Sequence, residues 1–215
     1  MTDKLHYNTV TPYLLKVLKQ LMSAKEFETF RLVGGTSLSL QRGHRFSVDI
    51  DLFTDAEYGS IDFHVIDNYL QLHFPYIETS TFEEIGFGKS YFLGESAEQS
   101  VKLDLFYTDA YITPVLEEDH IRMASVEDII AIKLDVISFG GRKKDFWDIH
   151  ELISSYSFKA MLSLHEKKYP YTHDAKLIKK QFSNFELADE EPDPECLRGK
   201  IWEVIKLDMI DFSKN

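Results

Sequence analysis

The sequence predicts an α+β fold, a mixed sheet flanked by helices and covered mainly on one face, with a helical C-terminal region. Three observations carry that prediction. Segments alternating apolar and polar residues lie near 30–34, 48–53, 75–82, 85–93 and 100–106, the period of a half-buried strand. Stretches with helical spacing separate several of them, and after Pro114 the apolar periodicity becomes helical.

Taken in order, Val10 to Phe30 reads as a helix, because Thr11-Pro12 supplies a start and Leu14, Leu15, Leu18, Leu21 and Met22 form one stripe. The strands at 30–34 and 48–53 enclose a short helix at 36–42, and Ile61 to Leu72 reads as another helix. In the later strands Gly86, Gly88 and Gly94 mark turns or bulges. Ser125-Val-Glu-Asp128 has the form of a helix start, Val126, Ile129, Ile130, Leu134 and Ile137 keep the spacing, and Gly140-Gly141 ends it. Lys143 to Ile153 opens a second helix with Phe146, Ile149, Leu152 and Ile153 inward, which places Asp145 and Asp148 on nearly the same side. Helices are expected at 157–168, 172–184 and 197–212, broken by Tyr169-Pro170-Tyr171 and by the acidic loop Glu190 to Glu195, whose two prolines interrupt any helix. The expected organisation is a core over 1–115 and a helical region over 116–215 that completes the active site.

Composition narrows the function. With 24 basic and 36 acidic residues the formal charge is −12, which argues against a broadly basic surface that wraps nucleic acid. A nucleic-acid partner would have to be held locally. Cys196 is the single cysteine, so neither an internal disulfide nor a cysteine-based zinc cluster is expected. The opening residues lack a basic segment followed by an apolar core, and nowhere does an apolar run approach the ~20 residues that cross a bilayer. We therefore expect a cytoplasmic protein without membrane attachment.

Chemistry concentrates between Leu32 and Phe53. Val33 ends a strand-like run, Gly34 and Gly35 permit a tight turn and close approach of a ligand, and Thr36 and Ser37 add hydroxyls where a helix begins. Such a helix start favours phosphate, through unpaired N–H groups and a partial positive charge. Asp49 and Asp51 alternate with apolar residues, so both carboxylates project from one strand face. Side by side they suit a divalent metal such as Mg²⁺, which takes carboxylate, water and phosphate oxygens. Lys102-Leu-Asp-Leu-Phe106 alternates likewise, and Asp104 joins the pair if the two strands are neighbours. Each residue also has a plainer reading: a turn for the glycines, a Lys102 ion pair for Asp104, an exposed helix position for Lys133. Arg142, Lys143 and Lys144 read as a solvated helix start, and His44 and His150 as structural.

The ordered set of Gly-Gly-Thr36, Asp49-Ile-Asp51, Lys102-Leu-Asp104-Leu and Lys133 through Asp148 resembles the AbiEii/AbiGii nucleotidyltransferase-toxin family of the DNA polymerase β-like superfamily, over roughly residues 28 to 153. The resemblance implies a polymerase β-like mixed sheet. It also implies Asp49, Asp51 and Asp104 as ligands of Mg²⁺ or Mn²⁺, with Asp104 helping to activate an acceptor hydroxyl. Gly34, Gly35, Thr36 and Ser37 would hold a nucleoside triphosphate, Lys133 would contact its phosphates, and Asp145 would belong to the same later motif. The implied reaction moves a nucleoside monophosphate onto a hydroxyl acceptor, with RNA or transfer RNA as the acceptor, in a bacterial toxin–antitoxin or phage-defence setting with a cognate antitoxin. Two other readings stay open: a catalytically silent nucleotide- or protein-binding member of the fold, and a metal-dependent phosphohydrolase.

Overall fold

A computed structural model of the chain describes residues 5–79 and 86–214. Helix α1 (Pro12–Ser23) is capped by Thr11, whose side chain accepts the Leu14 amide, and a short turn over Lys25–Phe27 follows it. The expected helix to Phe30 thus ends earlier, because Ala24 is extended. Strand β1 (Arg31–Leu32) runs directly into α2 (Gly34–Arg42), and β2 (Asp49–Thr54) comes next. After α3 (Phe63–His73) come β3 (Tyr76–Thr79), β4 (Gly88–Gly94) and β5 (Ser100–Tyr107). The strands expected over 75–82 and 85–93 extend into residues 80–85, which lie outside the described residues.

A hairpin that the sequence did not suggest follows, β6 (Leu116–Glu118) and β7 (Ile121–Met123). Three-residue strands are too short to show alternation, and their turn uses Asp119 and His120 at φ 49° and 63° instead of glycine. The remainder is helical: α4 (Val126–Ser138), α5 (Lys143–Leu152), α6 (Phe158–Lys168), α7 (Ala175–Gln181), α8 (Glu186–Asp189) and α9 (Trp202–Phe212). The last begins later than expected because the preceding segment is held as an extended chain against the α2–β2 linker: Cys196 bridges to Arg45, and the Leu197 amide donates to the His44 carbonyl at 2.9 Å.

Among the described residues seven strands form one sheet in the order β3-β4-β5-β2-β1-β7-β6. The central pair β2 and β5 is parallel, as is β1 with β7, and the other neighbours are antiparallel. Ile50, Leu52, Leu103 and Leu105 are fully buried on one face against the stripe of α1 and the inner side of α3. A second cluster joins Val33 and Leu38 to the apolar faces of α4, α5, α6 and α9. The period-two alternation of β2 and β5 therefore sends leucines into the first core and leaves the acids on the opposite face. Among the described residues no helix is long and apolar enough to cross a membrane.

Candidate active site

The parallel register of β2 and β5 sets Asp51 directly opposite Asp104, Asp49 opposite Lys102, and Phe53 opposite Phe106. Beside them stands the glycine turn. Gly34 has φ 65°, a left-handed conformation costly for side-chain-bearing residues, and a Cβ there would lie 2.4 Å from Asp51 Oδ2. A Cβ on Gly35 would lie 2.1 Å from Arg45 Nη2. Gly34 is thus required by the turn and by its neighbour, and Gly35 by its neighbour alone. Gly34, Gly35, Asp49, Asp51, Asp104, Lys133 and Asp145 all line one cleft. Thr36 and Ser37 do not: the buried Thr36 hydroxyl bonds to Ser47 Oγ at 2.8 Å and to the Asp49 carbonyl, while Ser37 Oγ accepts from Gln41 Nε2 at 3.0 Å. Their hydroxyls tie α2 to the start of β2 and to its own last turn.

The acids are only partly balanced by nearby cations. Burial pushes the Asp51 carboxyl up to about 6, with Asp104 and Asp49 raising it further against the pull of Lys133. One Asp104 oxygen is bonded to Lys102 Nζ, while Oδ1 is buried without a hydrogen-bond partner. Asp49 Oδ2 stands 3.5 Å from Lys144 Nζ. Among the described residues, no three acidic, histidine or cysteine side chains lie close enough to cage an ion as they stand. The donor set nevertheless fits a divalent cation, since paired hard oxygens and a buried unpaired carboxylate oxygen both gain from one.

Behind the acids lies a buried ionic network centred on Asp148. Arg45 grips it as a fork, Nε to Oδ1 at 2.6 Å and Nη2 to Oδ2 at 2.9 Å. Lys133 Nζ reaches Asp145 Oδ1 at 2.6 Å and Asp148 Oδ2 at 2.7 Å, and His44 Nε2 lies 2.8 Å from Asp148 Oδ1. Burial alone would raise the Asp148 carboxyl, but Arg45 and Lys133 outweigh it and hold the group well below the ordinary carboxylate range. Asp145 is lowered in the same way by Lys133 and Arg142 against the effect of burial, and it also accepts the Arg142 amide at the head of α5. Lys133 is desolvated yet pushed upward by Asp145 and Asp148. It therefore stays charged.

Two sequence readings change here. Arg45 had no assigned role, although it lines the cleft and is 3% exposed; its partner lies 103 residues away, so no local pattern marks it. The solvated-start reading of residues 142–144 fails at Lys143, which is buried: its amide donates to Glu191 Oε2 at 2.8 Å and its Nζ to Asp193 Oδ1 at 3.0 Å. Arg142 and Lys144 remain half-exposed on the cleft wall. His44 is packed within the network, and His150 Nε2 lies 3.0 Å from Asp208 Oδ2, away from the cleft lining.

The mixed sheet with its flanking helices is a fold shared with nucleotidyltransferases of known structure. The nucleotidyltransferase toxin MenT4 of Mycobacterium tuberculosis shares the fold, with TM-score 0.60 and 14% identity over 94% of this chain and 82% of that one. JHP933 of Helicobacter pylori does so with TM-score 0.60 and 21% identity over 94% and 88%. In sequence, an uncharacterised protein of Aquifex aeolicus strain VF5 is 30% identical over 188 residues, 82% of this chain and 83% of that protein. Residues 16–212 match the family described as nucleotidyl transferase AbiEii toxin of type IV toxin–antitoxin systems, and the chain belongs to that family.

Proposed function

We propose that this chain is a metal-dependent nucleotidyltransferase that moves a nucleoside monophosphate from a triphosphate onto a hydroxyl acceptor and releases pyrophosphate. One observation carries the reading: Asp49, Asp51 and Asp104 share a cleft with a glycine-lined helix start and the cations Lys102, Arg142 and Lys144. The helices that follow β7 complete the site by supplying Lys133, Arg142, Lys144 and Asp145.

Asp49, Asp51 and Asp104 would hold Mg²⁺ or Mn²⁺, which would supply Lewis-acid neutralisation of charge at the α-phosphate and lower the acceptor hydroxyl's proton affinity. The chain's own groups do the rest. Gly34 and Gly35 bring backbone close to the leaving phosphates at the start of α2, and Lys102, Arg142 and Lys144 balance their charge. Asp104 Oδ1, buried and unpaired, accepts the proton of the acceptor hydroxyl. As that oxygen bonds to the α-phosphorus, the bond from phosphorus to the bridging oxygen breaks and pyrophosphate leaves. Lys133 acts through Asp145 and Asp148, fixing α5 and with it the cations at its head. Thr36 serves the triphosphate indirectly, by holding α2 against β2, and Ser37 by steadying the last turn of α2.

Supported by the family, we take a separately encoded antitoxin as the regulator and an RNA, transfer RNA foremost, as the acceptor. The test incubates the protein with Mg²⁺, each α-labelled triphosphate and total RNA, beside an Asp49→Ala/Asp51→Ala control. Label should appear on RNA only with the wild type; equal labelling by both proteins refutes the mechanism. Pairing of Lys102 with Asp104 and of Lys144 with Asp49 favours a second reading, a silent nucleotide-binding member. Calorimetric binding of triphosphate without pyrophosphate release on any acceptor would select it.

A further inference from the structure

We propose that the apolar end of the cleft is a nucleobase slot, in which the base of the bound triphosphate stacks on Phe53 and is held against α4 by Ile132 and Val136. The proposal deepens the transferase reading and rests on it.

The order of groups along β2 carries the argument. Arg45 precedes the strand. Asp49 follows with Lys102 opposite and Lys144 beside it, then Asp51 with Asp104, then Phe53 with Phe106. All of these strand positions share one face, and each step of two residues advances roughly 7 Å. A nucleoside triphosphate presents the same sequence of chemistry: leaving phosphates, the reacting phosphorus, then the sugar and a flat ring. Phe53 and Phe106 meet edge to face, with centroids 5.9 Å apart at 67°.

The opposing wall is equally telling. On α4 the apolar residues Val126, Ile129, Ile130, Leu134 and Ile137 are buried in the second core, whereas Ile132 and Val136 are only half-buried and line the cleft. One helical turn separates these two, so they stand together opposite the sheet. Apolar surface left open inside a charged cleft gains free energy from an apolar occupant, and a flat aromatic ring fits between a strand face and a helix. Among the described residues the slot walls are Val33, Phe53, Ile132 and Val136, none with a side-chain donor or acceptor. Base edges are therefore not read by side chains here. Selection should follow stacking area, purine over pyrimidine.

Calorimetry on the full-length chain with Mg²⁺ tests this, using ATP, GTP, CTP, UTP and inorganic tripolyphosphate as probes. Wild type is expected to bind both purine triphosphates about threefold or more tighter than the pyrimidines, and Phe53→Ala to weaken ATP and GTP about tenfold while tripolyphosphate binding changes less than about twofold. Retained tripolyphosphate binding shows that the variant is folded. If Phe53→Ala loses both, Phe53→Leu, which keeps most of the packing volume, should weaken ATP about threefold at unchanged tripolyphosphate affinity. Unchanged ATP affinity in these variants, or a preference for one base above about 100-fold, overturns the slot and leaves the transferase reading standing. Failure of wild type to bind either a triphosphate or tripolyphosphate overturns the transferase reading itself.

Discussion

Asp148 shows how far a residue's importance departs from its sequence context. It reads as one more acid on a helix, yet it is fully buried and receives Arg45, Lys133 and His44. Leaving two buried cations short of their anion is costly, so Asp148→Asn should lower unfolding stability by about 3 kcal/mol in urea titration. The pH dependence has a definite sign. A carboxyl lowered in the folded state stabilises above its unfolded value near ~3.9 and loses that contribution as pH falls through the folded value. The gap between wild type and Asp148→Asn should therefore shrink progressively as pH falls below about 5; a constant gap would mean that the network is not charged. Gly35 makes a matching case. A Cβ 2.1 Å from Arg45 Nη2 cannot be relieved by rotation, because that guanidinium is pinned on Asp148. Gly35→Ala should cost about 2 kcal/mol in the same titration and lower triphosphate affinity.

Helix α5 illustrates the element scale. Its start is held from both sides, by Asp145 accepting the Arg142 amide at 3.0 Å and by Glu191 accepting the Lys143 amide at 2.8 Å. The acidic loop thus acts as a cap and as a counterion for Lys143, which is a physical reason for clustering carboxylates beside an otherwise basic helix head. Glu191→Ala should cost about 1 kcal/mol, read as a lower thermal midpoint. It should also reduce triphosphate affinity more than Glu190→Ala does, because Arg142 and Lys144 flank the freed amide. Equal effects of the two variants would show that the loop acts only through its overall charge.

At the scale of the whole molecule, one sheet separates two apolar cores and carries the acids at its centre, between strands drawn from distant parts of the chain. Removing charge there should not cost the fold. Asp49→Ala/Asp51→Ala is expected to abolish labelling, while its thermal midpoint matches or exceeds that of wild type, because repulsion among the acids is relieved. The net charge of −12 leads to another expectation: without triphosphate, total RNA at ~0.15 M salt should not be retarded in a gel at micromolar protein. General retardation would show an RNA surface larger than the cleft.

Much of this was legible locally. The helix starts at Thr11 and Ser125, the strand alternation around Asp49 and Asp104, and the ordered motif are properties of short windows, where side-chain period and capping chemistry act over a few residues. The hairpin at 116–123 escaped because its strands are too short for a period to show. Arg45 and the acidic loop escaped because their partners, Asp148 and Lys143, are close only after folding. By itself the sequence determined the α+β class, the family and which acids face one way. Tertiary structure alone decided that Asp51 meets Asp104, that Asp148 gathers the buried cations, and that Thr36 and Ser37 turn away from the cleft. Pairing between remote segments depends on the register of β2 against β5 and on the packing of α4 and α5, and neither is encoded within one window of residues.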